Sequence, residues 1–230
     1  MYIFKAGVVG AGAMGGEIAQ VISASDRPVI LKDVDQAMLD RGMATIRRIY
    51  QRAVERGKMP ADEMARKLAL VTPTLAYDGL ADVDIVIEAV PEKIAIKKQV
   101  FAELERVVPE MAIFASNTSA LSISELAAAT RRPARMIGMH FFNPAHVMRL
   151  VEVIPGLETS QQTVDDVVAF AETLHKTPIV VQECPGFVVN RLLMPYLNEA
   201  AYCLQEGAAT AAEIDQAAVE FGMPMGPLAL

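Results

Sequence analysis

Few residues in this chain could carry chemistry. There are only three histidines, His140, His146 and His175. His140 follows the apolar run 136–139 and opens His140-Phe141-Phe142-Asn143-Pro144, so it lies at the carboxyl end of a strand, where open α/β sheets bind ligands. Glu152 interrupts the apolar run Leu150-Val151-Glu152-Val153-Ile154. Burying that carboxylate unpaired would cost on the order of several kcal/mol, so it is expected either to reach water on a polar strand face or to find a partner inside. A carboxylate hydrogen-bonded to a histidine fixes its tautomer and stabilises its imidazolium, the arrangement of a general base. A lone strand-end histidine is more often structural than catalytic; Glu152 is what shifts the balance toward chemistry.

A second constellation is Gly10-Ala11-Gly12-Ala13-Met14-Gly15, a G-x-G-x-x-G between an apolar run and a helical pattern. Gly10 allows a tight turn, Gly12 lets a pyrophosphate approach the backbone, and Gly15 lets helix and strand pack closely. The helix start then offers unpaired N–H groups to the anion, close to Met14. Glycine turns without ligands are common, and Asp33 supplies the specificity. It ends the next strand, where a carboxylate can accept hydrogen bonds from the adenosine ribose. That charge would repel a 2′-phosphate, which favours NAD over NADP, with Lys32 beside it as a counterweight.

These residues need a frame. Apolar runs at 3–9, 28–31, 85–87, 112–115, 136–139, 150–154 and 178–181 read as strands. Helical patterns at 93–107, 122–129 and 161–175 alternate with them, and residues 36–69 read as a helical hairpin broken at Gly57-Lys58-Met59-Pro60. Such alternation predicts a Rossmann-type, doubly wound α/β domain over residues 1–183. From Cys184-Pro185-Gly186 onward the pattern turns helical, at 187–205 and 210–221, so residues 184–230 read as an incomplete all-α domain.

Composition narrows the function classes. Of 230 residues 53% are hydrophobic and 21% charged, which excludes disorder, and the net charge of −7 argues against tracking nucleic acid. No apolar run approaches the roughly 20 residues that cross a bilayer, so no membrane role is expected. Two cysteines without zinc-ligand spacing fit a cytoplasmic protein and predict no metal site.

Further motifs are Glu88-Ala89-Val90-Pro91-Glu92, Ala115-Ser116-Asn117-Thr118-Ser119, Val151-Glu152-Val153 and Pro185-Gly186-Phe187-Val188-Val189-Asn190-Arg191. With the glycine loop and His140-Phe141-Phe142-Asn143-Pro144, their order and spacing resemble the L-3-hydroxyacyl-CoA dehydrogenase family. The resemblance implies NAD as cofactor and an acyl-CoA substrate in fatty-acid β-oxidation or a related pathway. His140 would be the general base supported by Glu152, with Ser119 and Asn190 holding the reacting oxygen. Asn143 would sit beside nicotinamide and substrate, and Glu92 and Lys97 at the nicotinamide-side ribose. Each also has a plain reading: Ser119, Asn117 or Ser122 as helix caps, Glu92 and Lys97 as helix surface, Asn190 as an ordinary helix residue. Arg56, with Arg52 and Lys58, is a candidate for the CoA phosphates, a solvated helix face being the alternative.

The family is typically homodimeric through a full helical domain, of which the sequence holds only the first part. The chain is therefore expected to be a truncated form or a piece of a longer protein, such as a fusion with an enoyl-CoA hydratase. Two rival functions stand beside the dehydrogenase: a 3-hydroxy acid dehydrogenase that does not use CoA, and a dinucleotide-binding relative without turnover.

Overall fold

Short runs of β-branched and apolar residues alternate with amphipathic stretches through the first 180 residues, and each run becomes one strand of a single sheet. A computed structural model describes residues 1–230. In chain order come β1 (Ala6–Val9), α1 (Ala13–Ala24), β2 (Val29–Lys32), α2 (Gln36–Glu55), α3 (Ala61–Ala69), β3 (Val71–Thr74) and β4 (Ile85–Glu88). Then follow α4 (Ile94–Leu104), β5 (Ile113–Ser116), α5 (Ile123–Ala127), β6 (Met136–Phe141), β7 (Leu150–Pro155), α6 (Gln161–Thr173), β8 (Thr177–Val180), α7 (Val189–Gln205) and α8 (Ala211–Phe221).

The sheet has eight strands in the order β3-β2-β1-β4-β5-β6-β7-β8. All neighbours run parallel except β6 and β7. The central strands are buried on both faces, as parallel strands covered by crossover helices must be. Strand order reverses between β1 and β4, which opens a crevice at their carboxyl ends. The fold is thus the doubly wound α/β class expected, extended by an antiparallel strand and followed by helices.

Several expectations need correction. The first strand begins at Ala6 rather than at residue 3, because the N–H groups of Phe4 and Lys5 turn to Asp84 Oδ2, at 2.8 and 2.9 Å, instead of joining the ladder. The edge strand β3 was not anticipated: Pro73 disguises it, but an edge tolerates a proline that donates no ladder hydrogen bond. His140 does not follow the end of its strand; β6 runs on to Phe141 because β7 continues the ladder through Phe141 and Val151. The eight residues from 142 to 149 hold no crossover helix, and so short a link can return the chain only antiparallel.

The chain divides into two compact units, Met1–Cys184 and Pro185–Leu230. In the second, Gly207 with φ +70° breaks the path between α7 and α8, and Thr210 and Glu213 form a capping box that starts α8. Leu192, Tyr202 and Phe221 are exposed there. No helix of the chain is long and apolar enough to cross a membrane.

Candidate active site

The register of β6 and β7 places His140 directly opposite Glu152. Residues paired across antiparallel strands project to the same face, so the side chains meet without help from a loop. His140 Nδ1 lies 2.7 Å from Glu152 Oε2, and the carboxylate is fully buried. A carboxylate only accepts, so Nδ1 carries the hydrogen and Nε2 presents its lone pair. Ser119 Oγ lies 3.2 Å from that Nε2. The Phe142 ring packs beside the imidazole at a centroid distance of 4.6 Å.

Ser119 is held from α4 and its approach. Its N–H donates to Glu92 Oε1 at 2.9 Å, and the Thr118 hydroxyl donates to the same oxygen. Ser119 caps no helix; α5 is capped by Ser122. Asn117 accepts the Phe141 N–H through Oδ1 at 2.8 Å, joining the serine loop to the strand that carries His140. Behind this loop Glu183 accepts from the Ser122 and Ser124 hydroxyls and from the Ser124 N–H. Burial acts to raise the Glu183 carboxyl, but these hydrogen bonds prevail and hold it below the ordinary range.

Lys97 does not lie on the helix surface. It is fully buried, with its ammonium 2.8 and 2.9 Å from the two oxygens of Glu88 and 3.2 Å from Glu92 Oε2. Glu88 also accepts from the Ser116 hydroxyl and the Val90 N–H, each at 2.7 Å. Burial pushes the Glu88 carboxyl up, with Lys97 pulling the other way. Glu92 is part exposed; burial would raise its carboxyl, but Thr118, Lys97 and Ser119 together lower it. Glu88 was not singled out from the sequence beyond its place in a motif. Its signal was a carboxylate ending the apolar strand Ile85–Glu88, nine residues before a lysine.

At the crevice between β1 and β4 lies a cavity of about 620 Å³, lined by Gly10, Gly12, Met14, Asp33 and apolar residues from α4 and the β4 loop. Gly10 has φ +102°, and a Cβ there would lie 2.6 Å from Ala89 O. A Cβ on Gly15 would lie 1.6 Å from Gly10 O, whereas one on Gly12 would meet no protein atom within 4 Å. No side chain caps the start of α1. The turn is therefore one that glycine makes, and it leaves room for a pyrophosphate at an uncapped helix N-terminus. Asp33 is fixed at the rim by the N–H groups of Ala11 and Val34, at 2.6 and 2.7 Å. These residues fit a dinucleotide.

Asn143 is exposed and precedes a cis peptide bond to Pro144. Its loop is tied to α1 by Glu17, which accepts the Ala145 N–H and lies 3.5 Å from His146 Nδ1. Arg52, Arg56 and Lys58 share a second cavity, of about 550 Å³, with Pro144, His146 and Val147. Asn190 belongs to the second unit, partly buried in the first turn of α7.

The fold and the glycine crevice define a dinucleotide-binding oxidoreductase framework. Residues 5–184 match the family described as 3-hydroxyacyl-CoA dehydrogenase, NAD binding domain, and residues 186–230 match 3-hydroxyacyl-CoA dehydrogenase, C-terminal domain. The chain belongs to the 3-hydroxyacyl-CoA dehydrogenase family, and its first unit is the NAD-binding domain. It is 49% identical over 225 residues to the fatty acid oxidation complex subunit alpha of Idiomarina loihiensis, covering 98% of this chain and 31% of that protein. The chain thus spans about a third of the length of that relative. Among solved structures, FadB2 of M. tuberculosis superposes with a TM-score of 0.95 at 41% identity, covering 99% of this chain and 81% of the other. The (S)-3-hydroxybutyryl-CoA dehydrogenase PaaH1 of Ralstonia eutropha gives 0.95 at 43% identity, with the same coverage of 99% and 81%.

Proposed function

We propose that this chain catalyses the reversible oxidation of L-3-hydroxyacyl-CoA to 3-oxoacyl-CoA, with His140 as general base. The observation that carries the reading is the His140–Glu152 pair, which turns Nε2 toward Ser119. In the oxidative direction Nε2 takes the proton of the 3-hydroxyl, and Glu152 stabilises the imidazolium that results. Ser119 Oγ donates a hydrogen bond to the reacting oxygen as its charge changes, and for Asn190 the same role rests on the family resemblance alone. NAD, when bound, supplies the acceptor for the hydride leaving C3. Asn143 borders the nicotinamide and the substrate, and Glu92 meets the adjoining ribose, with Lys97 holding it from within. Arg56, with Arg52 and Lys58, takes CoA phosphates at the basic cavity.

Two tests decide between this reading and its rivals. Purified protein is expected to oxidise NADH with acetoacetyl-CoA, and His140→Gln to abolish the reaction while NADH still binds. NADH binding without oxidation in the wild type would overturn the enzymatic reading. Equal turnover of free acetoacetate would overturn the choice of CoA esters. In longer proteins such as the alpha-subunit relatives, this chain would work as one part among several.

A further inference from the structure

Lys32 is the last residue of β2 and only 2% exposed. Alternation along the strand puts Leu31 toward α2, where it approaches Gly42, and puts Ile30 and Lys32 on the opposite face, where Ile30 approaches Gly79. There the Lys32 ammonium lies 3.9 Å from the centroid of the Tyr77 ring, and no oxygen of the protein accepts from it. The two other buried lysines, by contrast, are engaged by oxygens. Lys97 donates to Glu88, and Lys67 donates to Ala24 O at 2.8 Å and pairs with Asp26 at 2.6 Å. An ammonium has three donors, and those of Lys32 open onto a cavity, where a ligand can accept from them. Neighbouring Asp33 turns its carboxylate to the backbone of Ala11, Val34 and Asp35 rather than to Lys32.

Lys32 lines the same cavity as the glycine turn. Asp33 and Asp35 both line that cavity, and beyond them its walls include Val34, Met38, Tyr77, Ile96 and Val100. It is thus an apolar slot with one cation at its floor. A flat heterocycle with an in-plane acceptor satisfies both features at once. We propose that Lys32 is a specificity-determining residue that donates a hydrogen bond to a ring nitrogen of the adenine of the bound dinucleotide. This rests on the cavity's holding the adenosine half, as the Asp33 rim and the glycine turn require. Recognition of a 2′-phosphate is the competing role for a lysine here. It is disfavoured because that phosphate would stand against the Asp33 carboxylate.

The test reads binding, not turnover. Calorimetric titration of the 230-residue chain with ADP-ribose is compared with titrations using its 1-deaza, 3-deaza and 7-deaza adenine analogues, each lacking one ring acceptor. One analogue is expected to bind at least about ten-fold more weakly, the size of one charge-assisted hydrogen bond. Lys32→Met is expected to weaken ADP-ribose to the same extent, to abolish the difference between analogues, and to leave the thermal midpoint of the ligand-free protein unchanged or higher. Equal binding of all three analogues by the wild type overturns the proposal without needing the variant. A loss in Lys32→Met confined to 2′-phosphorylated ADP-ribose also overturns it, and assigns Lys32 to a phosphate. If wild type binds no ADP-ribose at all, the dinucleotide reading of the cavity fails together with the proposal.

Discussion

His140 and Glu152 are direct partners in the antiparallel β6–β7 ladder, and the 2.7 Å contact between Nδ1 and Oε2 follows from that register. Glu152→Gln keeps an oxygen for the Nδ1–H but removes the charge that, in the proposed reaction, would stabilise the imidazolium. The expected result is a fall in kcat of about 10² to 10⁴, the range of a general base, with KM for the acyl-CoA nearly unchanged. Steady-state kinetics would check it, and a loss confined to KM would remove Glu152 from its positioning role.

Gly12 and Gly15 are expected to separate binding from folding. A methyl at Gly12 meets no protein atom, so Gly12→Ala should change stability by no more than about 0.5 kcal/mol while weakening NADH binding at least about ten-fold. A methyl at Gly15 collides with Gly10 O, so Gly15→Ala should exceed the roughly 1–3 kcal/mol usual for overpacking. Urea unfolding and NADH fluorescence titration measure the two effects.

Lys97→Met leaves Glu88 buried without its counter-ion. Removing one partner of such a pair costs about 3–5 kcal/mol. Adding Glu88→Gln to the same chain should recover most of the loss, because no uncompensated charge then remains. Additive losses in a double-mutant cycle would show that the pair is not coupled.

Glu183 makes a prediction about pH. Its carboxyl is held below the ordinary value of 4.5, so its contribution to stability is present above that pH and is lost as pH falls through the lower folded-state value. Glu183→Gln is therefore expected to be less stable than the wild type at pH 7. The two curves should converge under acid. A constant gap from pH 7 down to pH 3 would assign the effect of the substitution to packing.

Arg56→Ala should raise KM for acetoacetyl-CoA by about 3- to 10-fold, a modest effect for a part-solvated charge, and leave KM for NADH alone. Added salt should blunt the difference. An unchanged KM would return Arg56 to the solvated helix face.

The parts of this site legible in the sequence are those whose signal is local. Glu152 stands out because a charge breaks an apolar strand, and Gly10, Gly12, Gly15 and Asp33 because their spacing follows one strand-turn-helix unit. What escaped notice depends on distant segments. Glu183 meets Ser122 and Ser124 across about sixty residues, and nothing near either end announces the contact. Lys97 reads as helix surface until Glu88 supplies a buried partner from β4. β3 went unseen for a different reason: its proline is compatible only with a sheet edge, and edge position is a property of strand order rather than of local pattern.

The antiparallel return of β7 also divides the site by how often its parts open. His140 and Glu152 sit in backbone ladders that open only when a large part of the sheet separates, whereas residues 142–149 join them as a loop that is exposed apart from Phe142 and Ala145. Amide hydrogens of residues 137–140 and 151–154 should accordingly exchange far more slowly than those of the connecting loop. The His140–Glu152 contact can then persist while that loop opens, so the pair does not need to be rebuilt each time the loop moves.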